Sequence, residues 1–445
     1  MTKLDSKLNS WFDFSKYYRT LQLTDLRICE GKGSKIVGMT IEATGLICNI
    51  GDVCQIHVED DGKPVLCEVV GISGNTAYLM PYQEIGGIGY GCSVVNTGRQ
   101  LSVMASNQLV GRIVDALGQP MDKGPAITDG VPVSIEGEPT NPLERPPITD
   151  IMELGVKSID GLLTIGKGQR IGIFAGSGVG KSTLMGTIAR FVQADINVIS
   201  LVGERGREVV EFIERDLGPE GLKRSVLVVA TSDQPAMMRF KCAQTATAIA
   251  EFFQRQGKHV LLMMDSLTRF AMAQREIGLS TGEAPVARGY TPSIYSSLPK
   301  LLERSGNFEV GSITGIYTVL VEGDDTNEPV ADTVRSIIDG HIVLSRKIAA
   351  KNHYPAVDIL GSVSRLMNGI VSSEHKKAAG DLRNMMSVYK DNEDLISIGA
   401  YKQGSNPKLD NAIAHMDRIN SFLQQQVGEA FHFEETAAML MEAVK

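Results

Sequence analysis

The run Ile171–Thr183 combines glycine, lysine and hydroxyl residues at a spacing that suits polyphosphate chemistry. It reads IGIFAGSGVGKST, a short apolar run followed by a glycine-rich turn and by residues that can begin a helix. Glycines let the backbone N–H groups of such a turn point inward, and a helix N-terminus adds its positive dipole end. An ordinary glycine-rich turn between a strand and a helix is the alternative. The predicted nucleotide-binding set is Ala175, Gly176, Ser177, Gly178, Val179, Gly180, Lys181, Ser182 and Thr183.

Within this pattern, A-x-x-x-x-G-K-S, each polar residue has a distinct chemical use. Lys181 can reach the β- and γ-phosphates, and the Ser182 hydroxyl can ligate Mg²⁺. Ala175 stands where glycine is more usual, which is a mild departure from the pattern. The run therefore predicts binding of a nucleoside triphosphate.

Two acidic residues end other apolar runs of the chain. Asp265 follows Val260–Met264, and a carboxylate at a strand end beside a phosphate loop can face Mg²⁺. Glu204 lies in the segment LVGERGRE, where it could position or polarise an attacking water. Arg205 and Arg207 could meet phosphate there, or the segment could be a surface cluster of ion pairs.

Alternating strand-like and helix-like runs begin near Ile171 and must position these side chains. The predicted strands are Ile171–Phe174, Val198–Val202, Val226–Ala230, Val260–Met264, Ile313–Val321 and Ile342–Leu344. The predicted helices between them include Thr183–Val192, Val209–Leu217 and Ala236–Arg255. This alternation predicts an α/β fold with a parallel sheet and with nucleotide at the C-terminal ends of its strands.

The segments on either side of this α/β region differ from it. Between Arg27 and Val95, alternating runs separated by turn residues predict a small β-barrel, with strands at Ile36–Ile41, Val53–Val58, Val65–Val70 and Ala77–Met80. After Val371 the chain has the pattern of helices broken by turns. We therefore predict three domains, at residues 1–95, 96–365 and 366–445.

Composition narrows the class of protein. The 445 residues allow two or three domains, and a net charge of −8 argues against a dedicated nucleic-acid binder. The sequence has no apolar run long enough to span a membrane, and its first residues lack the apolar core of a signal peptide, so a cytoplasmic location is expected. The six cysteines form no C-x-x-C pair, which disfavours a zinc site.

The first twenty residues place Leu4, Leu8 and Trp11 at helical spacing among polar neighbours. Either this segment is a short amphipathic helix that docks a partner, or it packs on its own domain. The only tryptophan of the chain lies here, and exposed tryptophan often anchors interfaces.

Longer motifs carry a family resemblance. They are AGSGVGKS, LVGERGRE, HVLLMMDSLTRFAMAQREI, RGYTPS, LPKLLERSG, VEGDDTNEPVADTVRSIIDGHIVLSR, YPAVDI and SVSR. Together they resemble the flagellum-specific ATPase of type III protein export, a relative of the injectisome ATPases and, more distantly, of the rotary ATP synthase catalytic subunit. The resemblance implies a RecA-like P-loop NTPase core between an N-terminal small β-barrel and a C-terminal helical domain, and an ATPase that uses ATP and Mg²⁺.

The resemblance also implies a role for each matching residue. Lys181 and Ser182 would contact phosphate and Mg²⁺, and Asp265 would hold Mg²⁺ through water. Glu204 would be the catalytic carboxylate, with Arg205 beside the γ-phosphate. Glu208 would lie next to the metal site and support the residues that hold the ion.

Two further matches lie in the motifs YPAVDI and SVSR. Tyr354 matches the aromatic residue that stacks on adenine, with a role as a core residue as the alternative. Arg365 matches the arginine that enters the site of a neighbouring subunit, with an ordinary ion-pair role as the alternative. An arginine supplied in trans can contribute about 10³- to 10⁵-fold in rate, and a chain that carries both parts can close into a ring.

The resemblance also implies assembly into a homohexamer and a set of partners. The partners are an ATPase regulator on the N-terminal segment, a central coiled-coil stalk, the membrane export gate, and export chaperones with their substrates, without nucleic acid. The loop Gly278–Pro285 could face the stalk or passing substrate, or be a solvent-exposed linker. An injectisome ATPase, a rotary ATP synthase subunit and a ring helicase are the competing interpretations; the first hundred residues show no basic surplus with stacking aromatics, which disfavours the helicase.

Overall fold

The computed structural model describes residues 29–58, 63–137, 140–321 and 328–445. The predicted N-terminal helix of the first twenty residues lies outside these ranges. The chain divides after Gln100 into two compact units, with the short stretch Tyr82–Glu84 grouped with the second.

The first unit is a closed six-stranded antiparallel barrel with the strand order β1-β2-β5-β4-β3-β6. Its interior is apolar and includes Ile41, Ile56, Val69, Leu79 and Val94. The strands are β1 Cys29–Val37, β2 Thr40–Thr44, β3 Asp52–His57, β4 Val65–Ser73, β5 Thr76–Pro81 and β6 Ser93–Gln100.

Two details of the barrel differ from the sequence prediction. The single strand predicted over Ile36–Ile41 is wrong, because Gly38 adopts a positive φ of 57° and turns the chain between β1 and β2. The domain boundary predicted after residue 95 falls inside β6, where Gln100 still pairs with Asp52. The barrel unit therefore extends to Gln100.

The second unit is built on a mostly parallel sheet with the order β19-β18-β12-β17-β15-β13-β14-β8, to which β16 adds by pairing with β17. Its central strands are buried almost throughout, as expected for a sheet covered on both faces. The strands of this unit are β7 Ser102–Ala105, β8 Ile113–Asp115, β9 Val131–Ser134, β10 Ile151–Met152, β11 Ile165–Gly166, β12 Arg170–Ala175, β13 Ile196–Glu204, β14 Ser225–Thr231, β15 His259–Asp265, β16 Gly306–Asn307, β17 Ser312–Leu320, β18 Gly340–Leu344 and β19 Val363–Ser364.

Helices cover this sheet and follow it to the C-terminus. They are α1 Lys157–Leu162, α2 Lys181–Phe191, α3 Gly206–Glu211, α4 Gly218–Lys223, α5 Ala236–Gln254, α6 Leu267–Ser280, α7 Pro292–Leu302, α8 Pro329–Ile337, α9 Arg346–Ala350, α10 Met367–Ile370, α11 Ser373–Asp391, α12 Glu393–Ser397, α13 Pro407–Leu423 and α14 Phe433–Ala443. A π-helical turn, Phe212–Leu217, joins α3 to α4, and 3₁₀ turns lie at Asn107–Leu109, Pro142–Glu144 and Ala287–Gly289. Among the helices of the described ranges, none has the length and apolarity that crossing a membrane requires.

The C-terminal helices share a core with the nucleotide-binding part of this unit. Buried side chains of α11, α13 and α14, among them Leu382, Phe422 and Leu440, belong to the same apolar cluster as the strands β12 and β15. Helix α1 belongs to the same cluster as the C-terminal helices and the strands, and it is buried along its whole length. Gly161 of α1 leaves room for Phe422, because a Cβ at this position would lie 2.8 Å from the ring. The C-terminal helices therefore pack into one continuous core with the sheet.

Candidate active site

The glycine-rich loop connects β12 to α2, as the sequence predicts. Gly178 and Gly180 have φ values of 78° and 87°, which favour glycine, and Gly180 directly precedes the first residue of α2. A Cβ on Gly176 would lie 2.7 Å from the guanidinium of Arg346, so this glycine allows close approach of the arginine. The loop borders a cavity of about 740 Å³ whose wall also includes Lys181.

Lys181 lies between the two carboxylates that were predicted from strand ends. Its Nζ donates a hydrogen bond to Asp265 Oδ1 and lies 3.7 Å from Glu204 Oε1. Asp265 ends β15 and Glu204 ends β13, two adjacent parallel strands whose carboxyl ends meet at one edge of the sheet. Thr318 of β17 donates to Asp265 Oδ1 at 2.6 Å and so fixes its orientation.

Burial and charge act together on the ionisation of this cluster. Burial opposes the charge of Lys181, but Asp265 and Glu204 outweigh it, so the pKa of the ammonium is raised. Burial, followed by repulsion from Asp265, raises the pKa of Glu204 to about 7, and Lys181 only partly offsets this. Glu204 Oε1 is buried and accepts no hydrogen bond within the described structure. The cluster thus holds a carboxylate that is poised to bind a proton near neutral pH.

Arg205 and Glu208 lie at the rim of the same cavity, at the start of α3. The Arg205 side chain is 70% exposed, and its Nη1 lies 3.5 Å from Glu208 Oε1. This exposed pair is weak in water, so a phosphate group can compete for the guanidinium. Ser182 and Thr183 of α2 also line the cavity.

Tyr354 also lines the cavity and is 40% exposed. Its ring lies against the loop, because a Cβ on Gly180 would be 3.4 Å from the ring carbons. A half-exposed aromatic face in this position can stack on a flat base.

Three predicted site residues do not line the cavity themselves. Val179 turns its side chain into the apolar core, where it is 2% exposed, so it contributes only its backbone to the loop. Asp265 lies behind Lys181 and reaches the cavity through it. Arg365 follows the edge strand β19 with an exposed side chain, and its backbone N–H donates to Asp339 O at 3.0 Å.

Several cavity residues were missed from the sequence. Arg269, in the first turn of α6, favours the ionised form of Glu204, and its position four residues after Asp265 was a usable signal. Arg346 begins α9 after β18, the strand that pairs with β12. The stretch 425–427 comes from the C-terminal helical region, and no local motif marks it as part of a nucleotide site.

Comparisons with known proteins match this architecture along the chain. Residues 33–98 match the β-barrel domain of the ATP synthase alpha/beta family, and residues 155–364 match its nucleotide-binding domain. Residues 371–442 match the C-terminal domain of the type III secretion ATPase EscN. The flagellum-specific ATP synthase of Bacillus subtilis is 54% identical over 422 residues, which cover 94% of this chain and 96% of that protein.

The chain belongs to the flagellar and type III secretion ATPase family. The type 3 secretion system ATPase of Xanthomonas euvesicatoria is 49% identical over 410 residues, which cover 92% of this chain and 93% of that one. The assembled EscN ATPase of enteropathogenic E. coli superposes with a TM-score of 0.89 at 46% identity and covers 93% of this chain and 100% of EscN. EscN in complex with its central stalk EscO gives a TM-score of 0.87.

Membership in this family confirms three of the expectations drawn from the sequence. The fold is an α/β RecA-like core with an N-terminal barrel and a C-terminal helical domain. The chain is an ATPase of type III protein export. The match to the EscN C-terminal domain distinguishes this ATPase from a rotary ATP synthase subunit.

Proposed function

We propose that this export ATPase hydrolyses Mg²⁺-bound ATP in the cavity described above, with Lys181, Glu204 and Asp265 at its centre. The observation that supports this most strongly is the position of Lys181 Nζ, between two carboxylates at the end of a phosphate-binding loop. An ATP polyphosphate that enters the loop offers Lys181 a stronger set of acceptors than the carboxylates do. Its binding would release Glu204 from the ion pair.

The residues present fit Mg²⁺. Mg²⁺ is usually held by one or two carboxylates together with substrate phosphates and water, so a dense cluster of ligands is not required. The described residues contain no group of three or more His, Cys, Asp or Glu side chains that could hold a metal. Ser182 would hold the ion directly and Asp265 through water, with Glu208 in support, and Glu204, whose buried Oε1 accepts no hydrogen bond, lines the same cavity. When bound, Mg²⁺ neutralises charge on the phosphate oxygens.

The side chains of this chain divide the remaining work. Glu204 would orient the attacking water and accept its proton, for which a raised pKa is suitable. Arg205 would leave Glu208 to contact the γ-phosphate, and Arg269 would favour the ionised form of Glu204. Tyr354 would stack on the adenine ring in the same cavity.

Arg365 points to a shared site. Its side chain is exposed and outside the cavity of its own chain, so a catalytic contact of Arg365 would have to be with a neighbouring copy. We therefore propose a homohexameric ring in which Arg365 of one subunit completes the site of the next. EscN, a relative at 46% identity, has been solved in an assembled state, which supports assembly of this chain with copies of itself.

We infer the export system, the cellular location and the partners of the ring from its relatives. Flagellar relatives, such as the one from B. subtilis at 54% identity, favour service in flagellar export over the injectisome, where the same chemistry would apply. The ring would act in the cytoplasm at the inner face of the membrane, through an export gate and through a regulator on its N-terminal segment. A central coiled-coil stalk would occupy its channel, as EscO accompanies EscN, and chaperone-bound substrates would be released or unfolded there.

Substitution of Glu204 by glutamine tests the catalytic assignment. Glu204→Gln keeps the shape of the side chain and removes the base, so we expect ATP to bind with little change while turnover falls about 10²- to 10⁴-fold. Binding is measured by titration of ATP into the purified protein, and turnover by phosphate release. The matched control is Glu211→Gln, an exposed glutamate of the same segment that lies outside the cavity. Turnover of Glu204→Gln equal to that of the control would refute the assignment.

A further inference from the structure

Gln425 lines the nucleotide cavity together with two other segments of the chain. The cavity is bordered by Val156, which precedes α1, by Tyr354, and by residues 425–427, which follow α13. These segments are more than sixty residues apart in sequence, and all of them border the same cavity. A single residue that bonds to all of them would determine the shape of the cavity wall around Tyr354.

Gln425 makes such bonds with its backbone and with its side chain. Its backbone N–H donates to Tyr354 O at 2.9 Å, which ties the loop to the residue that carries the aromatic ring. Its Oε1 accepts from the N–H of Lys157 at 2.9 Å. Its Nε2 donates to Gly155 O and to Glu429 O, both at 2.8 Å.

The side-chain bonds enclose Val156. Gly155 and Lys157 are its two chain neighbours, so the amide of Gln425 pairs with the peptide groups on both sides of a residue that lines the cavity. Both N–H groups of the amide are used, and its oxygen is used as well. The segment that it holds is rigid, since Val156 is 1% exposed and Lys157 begins the buried helix α1.

Two hydrogen bonds between Gln426 and Glu429 hold the loop that follows Gln425. The N–H of Gln426 donates to Glu429 Oε2 at 2.9 Å, and the N–H of Glu429 donates back to Gln426 O at 3.2 Å. Gln426 and Val427 are exposed and line the cavity next to Tyr354. Their position relative to the Tyr354 ring therefore depends on the bonds of Gln425.

From these contacts we propose that Gln425 is a positioning residue that holds the base-binding end of the cavity in shape and thereby sets the affinity for the base of the nucleotide. It acts through Val156, Tyr354 and the loop 426–427, not through the phosphates. This inference rests on the proposed function, in which the base stacks on Tyr354.

The test uses Gln425→Glu, which keeps the size of the side chain but turns its two donors into acceptors. The new carboxylate would then face the carbonyl oxygens of Gly155 and Glu429. We expect the affinity for ATP to fall about tenfold, as for the loss of one or two buried hydrogen bonds. The affinity for inorganic tripolyphosphate, which has no base, should stay within about twofold of the wild type.

The matched control is Gln424→Glu, which makes the same change of charge one residue earlier, at an exposed position that does not line the cavity. We expect this control to bind both ligands as the wild type does. In steady-state turnover, Gln425→Glu should raise KM for ATP by a larger factor than it lowers kcat, because the phosphate end of the site is untouched. Gln425→Ala, which removes the bonds without adding charge, should change KM in the same direction.

Two kinds of result would overturn the proposal. Unchanged ATP affinity in both Gln425 variants would remove the positioning role. An equal loss of ATP and tripolyphosphate binding, or loss of folding in both variants, would show that Gln425 supports the whole domain instead of the base end. A failure of the proposed function would look different, because the wild-type protein would then bind neither ligand, or would bind both equally well after Lys181→Ala.

Discussion

Glu204 is the residue whose ionisation most directly controls this site. Its pKa is raised to about 7 by burial and by Asp265, while a general base must be ionised to accept a proton. We expect kcat/KM for ATP to rise with pH up to about 7 and then to level off. Initial rates between pH 5.5 and 8.5 measure this profile. A flat profile in the wild type would contradict the assigned role of Glu204.

The carboxylate of Glu204 should also make the folding stability of the protein depend on pH. A group whose pKa is raised in the folded state binds more protons there than in the unfolded chain, so its contribution to stability falls as pH rises from about 4.5 to about 7. Glu204→Gln removes this penalty. We expect its stability relative to the wild type to increase across that pH range, as measured by urea unfolding, with Glu211→Gln as the control. A difference that does not vary with pH would mean that Glu204 ionises normally.

Residues at strand ends were the part of the site that could be predicted from sequence. Asp265 and Glu204 end apolar runs, Lys181 follows the glycine-rich loop after a third such run, and parallel strands bring their carboxyl ends to one edge. Val179 was assigned to the site by its place in the motif, although its apolar side chain belongs to the core. Gln425 could not be found, because only the folded chain brings residues near 155 and 425 together.

At the scale of elements, strand prediction succeeded where strands are buried on both faces. The run Val198–Val202 is apolar except for Ser200 and lies buried within β13, whereas the hairpin at Gly38 was hidden in a continuous alternating run. The strand β8, only three residues long, was not predicted, since its pairing with β14 is a tertiary contact. Short edge strands lack a periodic signal of their own.

Two glycines should respond oppositely to the same substitution. Gly180 has a φ of 87° at the start of α2, so Gly180→Ala should cost roughly 1–2 kcal/mol of stability and should weaken ATP binding. Gly380 is exposed within helix α11, where a Cβ would meet nothing within 4 Å, so Gly380→Ala should add about 0.5–1 kcal/mol. Chemical unfolding and ATP titration measure both effects. Equal effects in the two variants would contradict this account of the loop.

At the scale of the whole molecule, the C-terminal helices form part of the nucleotide site. They share an apolar core with the sheet and supply residues 425–427 to the cavity. The barrel, core and helical domains were predictable from the strand-like and helix-like patterns along the chain. The cooperation of the core and the helical domain at one cavity was not, because it depends on contacts across more than two hundred residues.

Arg365 extends the site beyond a single chain in our account. Arg365→Ala should bind ATP as the wild type does, since its side chain lies outside its own cavity, but should lose about 10³-fold in turnover when rings form. Turnover is measured against protein concentration, with Arg255→Ala, another exposed arginine, as the control. Undiminished turnover of Arg365→Ala at high concentration would remove its role in a neighbouring site.

The central claim, that each site is completed by the next copy, is tested most directly by mixing two inactive variants. Lys181→Ala lacks the phosphate contact but supplies Arg365, while Arg365→Ala supplies an intact cavity. In rings formed at random from an equal mixture, about a quarter of the interfaces would combine both intact parts. We predict that phosphate release by the mixture recovers to about that fraction of the wild-type rate. A mixture as inactive as either variant alone would contradict the claim.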